Sequence, residues 1–209
     1  MEKYPAILHY IEETYAPETI IVYGSFADGS ANKNSDFDAL VITDSMKKHD
    51  ASVICDTVLD VWVYPAAVFS GEYDPKEFLQ VFDGQIIQDK KGTAEKLKAK
   101  VDAYIRQLPF KTEEEIRQEV DWCEKMLLRT QRGDADGFFR WHWLLSDSLE
   151  IYADVKRLRY FGPKKALRRM QREDEKAFQY YSAALKELNG RCLAEWIAYL
   201  KMLVNPPQR

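Results

Sequence analysis

Three aspartates and a Gly-Ser pair are the residues of this chain whose types and spacing could carry chemistry. Gly24-Ser25 follows the apolar run TIIVY, ten residues intervene, and Asp36 and Asp38 then stand one residue apart at the head of a second apolar run, FDALVIT. Asp60 interrupts a third, VLDVWVY, between Leu59 and Val61. On a strand, residues two apart share a face, so Asp36 and Asp38 put two carboxylates side by side while Phe37 and Ala39 turn away. Bare carboxylates that close repel each other, and burial raises the cost. No Lys or Arg lies within the strand to offset them. A divalent ion does so: hard oxygen ligands suit Mg²⁺, which keeps waters and takes up substrate phosphates. If the strand of Asp60 neighbours that of Asp38, three carboxylates can hold two ions about 3.5–4 Å apart, the spacing that clamps attacking and leaving oxygens in phosphoryl transfer. At Gly24-Ser25, glycine lets a phosphate approach the backbone, and free N–H groups and a hydroxyl receive it.

Plainer readings stand beside these. Asp36 and Asp38 could be solvated acids on a polar edge strand, Asp60 could pair with a distant Arg, and Ser25 could only cap a helix. Asp56 shares the parity of Asp60 but stands at the start of the strand and reads as a cap or a solvated residue. Asp44 reads as a turn residue. His9, His49 and His142 have no ligand spacing and read as surface or core histidines.

The elements that must position the acids are legible from periodicity. Residues 5–15 place Ile7, Leu8 and Ile11 at helical spacing after a proline suited to a first turn. Strands are predicted at 19–23, 37–42, 58–64 and 85–88, with a helix around 75–82 and a turn at Asp89-Lys90-Lys91-Gly92. From Thr93 onward helical periodicity takes over. Helices are predicted at 93–108, at 112–132 with a Thr112/Glu115 capping box, at 138–160, from Lys164, and at 191–203. The chain therefore reads as α+β: a small mixed sheet flanked by helices over 1–92, then an all-α bundle over 93–209.

Composition narrows the class. A formal charge of −4 over 209 residues gives no basic footprint, which argues against general nucleic-acid binding. The three cysteines, Cys55, Cys123 and Cys192, are odd in number and form no CxxC, so neither a disulfide framework nor a zinc knuckle is implied, and a reducing cytoplasm fits best. The first residues lack the basic-then-apolar pattern of a signal peptide, and no apolar run approaches the roughly 20 residues of a membrane helix.

Gly24-Ser25, ten residues, Asp36-Phe37-Asp38, with Asp60 in a later strand, resembles the signature of the DNA polymerase β-like nucleotidyltransferase superfamily. The helical second half resembles the antibiotic adenylyltransferases of the kanamycin, streptomycin and lincosamide type. The resemblance implies an enzyme that moves a nucleoside monophosphate, AMP from ATP in the first instance, to a hydroxyl of a small-molecule acceptor and releases pyrophosphate. It implies two Mg²⁺ ions on Asp36, Asp38 and Asp60, with the triphosphate over Gly24 and Ser25. It also implies an acceptor pocket shaped by the bundle, and a homodimer as one state the chain can take. Two alternatives remain open: adenylylation of a partner protein, as by nucleotidyltransferase antitoxins, and nucleotide binding without catalysis.

In the helical half, Asp147, Glu150 and Asp154 fall at i, i+3 and i+7 on one face. Some relatives use a helical-domain carboxylate as general base, and Glu150 is the candidate here; a solvated face is the plainer reading. Lys164 heads a basic run with Lys165, Arg168 and Arg169. It is either a solvated helix face or, as a lysine of relatives does, a reach toward the triphosphate. The aromatics Trp141-His142-Trp143 are core or a ring-binding box.

Overall fold

The computed structural model describes residues 3–205. The chain divides into two compact units, Met1–Leu108 and Pro109–Arg209. In the first, β1 (Thr19–Tyr23), β2 (Phe37–Thr43), β3 (Lys48–Asp50), β4 (Val53–Ile54), β5 (Thr57–Pro65) and β6 (Gln85–Asp89) form a six-stranded mixed sheet. Its order is β3-β5-β2-β1-β6, with β4 paired to β5. Only β2 and β5 run parallel.

Alternation sorts the side chains. Val22, Phe37, Ala39, Leu59, Val61 and Val63 lie on one face and form a buried cluster with Ile7, Ile11 and Tyr15 of α1 (Lys3–Tyr15). That cluster fixes the parity of every strand, because a one-residue slip would turn its apolar set to the opposite face. The opposite face then carries Tyr23, Asp38, Asp60, Trp62 and Tyr64. Tyr64 packs into an aromatic group with Phe69 of α3 (Ala67–Ser70), Phe78 of the 3-10 stretch Pro75–Val81, and Tyr73 between the two. Asp38 and Asp60 lie beyond that cover and stay half-exposed.

α4 (Thr93–Gln107) packs against β1, β6 and the 3-10 stretch, burying Ala94, Leu97, Val101 and Ile105. The division between compact units falls at Leu108/Pro109, inside the stretch 90–112 where the sequence changes character. α4 is helical by period, but its apolar stripe belongs to the sheet.

The second unit is all-helical: α5 (Glu113–Thr130), α6 (Ala135–Val155), α7 (Pro163–Glu173), α8 (Glu175–Lys186) and α9 (Gly190–Val204). The predicted capping box opens α5, with Thr112 Oγ1 accepting from Glu115 N and Glu115 accepting from Thr112 N. Trp196, fully buried, donates to Ser148 Oγ at 2.9 Å inside the core. The helix predicted from Lys164 is split at Asp174. Its carboxylate caps Ala177 N and accepts from Tyr152, Tyr199 and Lys156. Among the described residues no helix is long and apolar enough to cross a membrane.

Candidate functional site

The Gly24-Ser25 turn, Asp38 and Asp60 meet at one end of the sheet. β1 ends at Tyr23, and Gly24 enters the left-handed region at φ 66°, which a side chain would oppose. A Cβ at Gly24 would run into Asp38 Oδ2, so glycine is also what lets this carboxylate lie against the turn. α2 (Gly24–Ala27) is a single turn. Phe26 ties it to the core by packing on Phe37 at 5.2 Å, and Gln85 Nε2 donates to Ala27 O from β6. So short a helix has little dipole, and any hold on a phosphate rests on the local N–H groups and the Ser25 hydroxyl. Ser25 O accepts from both Ser30 N and Ala31 N, and Asn32 and Ser35 close a further turn that leads into β2.

In the β2–β5 register Asp38 pairs with Asp60, and Tyr23 of β1 pairs with Asp38. Neighbouring residues in register share a face, so the two carboxylates sit side by side on adjacent strands. Tyr23 reports their field: burial raises its hydroxyl pKa, and the charges of Asp60 and Asp38 raise it further. Asp36 precedes the strand and is exposed. Among the described residues no three His, Cys, Asp or Glu side chains are grouped closely enough to hold an ion by themselves. The paired carboxylates still suit Mg²⁺, because this ion is usually bound by one or two carboxylates and completed by water and substrate phosphates.

The structure adds a residue that sequence reasoning set aside. His49, on edge strand β3, lies with its Nε2 2.7 Å from Asp60 Oδ1, and its ring stacks on Trp62 with centroids 4.4 Å apart. The β3 sequence KHD has no apolar alternation, so the strand is invisible to periodicity. Its place is fixed instead by Asp50, only 2% exposed, which accepts from Tyr15, Tyr10 and Ser52. Burial pushes the Asp50 carboxyl up, but these donors outweigh it and hold the pKa at about 2. With Asp50 facing α1, alternation turns His49 to the face of Asp60.

In the helical unit, Asp147 and Glu150 of α6 line a cavity of about 640 Å³ with Glu115, Glu119, Trp122 and Trp143. Glu150 is exposed, whereas Asp154 is drawn into an ion pair with Lys111 at 2.9 Å. The three acids of one helix face are thus not equivalent. Trp141 is core, at 6% exposed, while Trp143 packs on Trp122 at the cavity wall. Lys164 is exposed in the first turn of α7.

Residues 6–128, more than half of the chain, match the sequence family described as nucleotidyltransferase domain. No curated protein matches the chain. Among solved structures, a nucleotidyltransferase-like protein from Exiguobacterium sibiricum 255-15 is similar at 18% identity and a TM-score of 0.36, over 96% of this chain and 73% of that one.

Proposed function

The chain belongs to the nucleotidyltransferase domain family, and we propose that it transfers a nucleoside monophosphate, AMP from ATP, to a hydroxyl of a small molecule. The observation that carries this reading is the pairing of Asp38 with Asp60 on adjacent strands, with Asp38 laid against the left-handed glycine turn. The triphosphate would lie over Gly24 and Ser25, where N–H groups and a hydroxyl meet it without a side chain in the way. Asp38 and Asp60, with Asp36 on the segment that enters β2, would hold Mg²⁺, the two-ion occupancy being implied by the resemblance. Bound there, Mg²⁺ would neutralise phosphate charge and orient the α-phosphoryl group.

The reaction forms a bond from the acceptor oxygen to the α-phosphorus and breaks the bond from that phosphorus to the oxygen bridging to the β-phosphate. Pyrophosphate leaves with that oxygen. The hydroxyl proton needs an acceptor, and Asp60, half-exposed and beside Asp38, is the candidate in this unit. Most of the rate enhancement is then positioning and charge neutralisation.

For the acceptor, one cavity of the helical unit supports a class of molecule. Lys111 also lines this cavity and pairs with Glu119, which leaves Glu115, Asp147 and Glu150 beside Trp122 and Trp143 to suit a molecule with amino groups and an apolar face, as an amino sugar or a lincosamide has. By the resemblance alone, Glu150 is a second candidate for the base and Lys164 a candidate for the triphosphate. The test is pyrophosphate release from ATP and Mg²⁺ across aminoglycosides, lincosamides and neutral polyols. Release that requires an amino-bearing acceptor supports the reading; equal release with neutral polyols removes the acceptor assignment.

A further inference from the structure

The imidazole of His49 reaches the third carboxylate from the sheet edge, and two features show that the contact is built into the fold. The first is register. His49 stands opposite Trp62 in the antiparallel β3–β5 pair, so Asp60, two residues before Trp62, is its diagonal neighbour on the same face. The ring lies nearly flat on the indole, 24° between planes, which fixes where Nε2 points. The second is anchorage. Asp50 is bonded to two tyrosines of α1 and to Ser52, and Lys48 donates to the Tyr15 hydroxyl, so a strand of three polar residues is held at both ends. Solvated edge strands of this composition have no need of such anchorage; here it sets the position of the one residue between them.

A carboxylate has about four lone-pair directions. A donor on one oxygen stops the group from rotating and leaves the remaining directions for an ion. Ligating carboxylates commonly carry such a partner, and its loss typically lowers metal affinity or activity by about 10–100-fold. We infer that His49 is the positioning residue of Asp60: clamped on Trp62, it holds the carboxylate in the orientation that lets Asp60 act beside Asp38 on one divalent ion. This rests on the reading of Asp38 and Asp60 as metal ligands given above. His49 touches neither nucleotide nor acceptor in this account; it acts through Asp60.

The test is Mn²⁺ binding by the full chain, with free Mn²⁺ counted by electron paramagnetic resonance, in the wild type, Asp38→Asn, His49→Ala, His49→Phe and His49→Gln. Phenylalanine keeps a ring to stack on Trp62 but has no donor. Glutamine keeps a donor near the position of Nε2. The expected result is Mn²⁺ uptake that Asp38→Asn abolishes, weakened about 10-fold or more in His49→Ala and His49→Phe and restored to near wild type in His49→Gln. Melting temperatures of the Phe and Gln variants should match each other, which a merely structural role of the donor would not allow. Wild-type affinity in His49→Phe would overturn the inference, and so would a wild type with no Asp38-dependent uptake. Uptake with the expected His49 dependence, in a protein that releases no pyrophosphate with any acceptor, would keep the inference and reject the transfer reaction.

Discussion

At the scale of single residues, the site depends on one glycine and two carboxylates whose roles separate experimentally. Gly24→Ala should weaken both fold and function. A side chain at φ 66° costs about 1–2 kcal/mol, and its Cβ would displace Asp38. Pyrophosphate release should fall about 10-fold or more, with a melting temperature lowered by several degrees; a fully active variant would show that Asp38 need not lie against the turn. Asp60→Asn should behave differently. Asp60 is 46% exposed and its contact with His49 is a surface one, worth at most about 1 kcal/mol, while neutralising it relieves repulsion from Asp38. Its melting temperature should stay within a few degrees of wild type, or rise, as activity is lost. A steep fall would mark Asp60 as a structural ion-pair partner. The spacing of these residues made them legible, because glycine at a strand end and acids in apolar runs are costly without a ligand. His49 was not legible: nothing in KHD signals a strand, and its partner is eleven residues away across a hairpin.

At the scale of elements, β3 shows how a polar segment is held by tertiary bonds. The folded pKa of Asp50, about 2, lies below the ordinary carboxylate value. Its ionised form therefore adds stability that is fully present above about pH 3.9 and is lost as pH falls through the folded value. The shift is equivalent to about 2 kcal/mol. The stability advantage of wild type over Asp50→Asn should shrink by about that amount between pH 6 and pH 2, measured by urea unfolding across the range. An advantage independent of pH would mean that the tyrosine and serine donors do not depend on the charge. The same kind of bond explains the break between α7 and α8. Asp174 follows the basic run of α7, and its donors Tyr152, Lys156 and Tyr199 hold it as the cap of α8.

At the scale of the molecule, α4 decides where one unit ends. Its helical period placed it with the bundle in sequence, yet Leu97, Val101 and Ile105 are buried in the sheet unit. Each such side chain contributes about 1.5–3 kcal/mol on burial, so their joint loss approaches the whole stability of a small domain, about 5–15 kcal/mol. A fragment of residues 1–108 should show a cooperative thermal transition, and one of residues 1–92 should not. Cooperative melting of the shorter fragment would return the boundary to the end of β6. The order of a mixed sheet followed by helices was legible because periods of two and 3.6 are distinct in the sequence. The allegiance of a helix to one core or another was not, since an apolar stripe does not name its partner.

In the proposed reaction Asp38 and Asp60 together serve nucleotidyl transfer. It is tested most directly by following products from ATP labelled at the α- and γ-phosphates, with Mg²⁺ and an amino-bearing hydroxyl acceptor, in the wild type, Asp38→Asn and Asp60→Asn. The wild type should release the γ-label as pyrophosphate and leave the α-label on the acceptor. Each variant should lose this by at least about 10²-fold while keeping its circular-dichroism spectrum. Labelled acceptor formed at the wild-type rate by either variant, or γ-label released as free phosphate with no label on the acceptor, would contradict it.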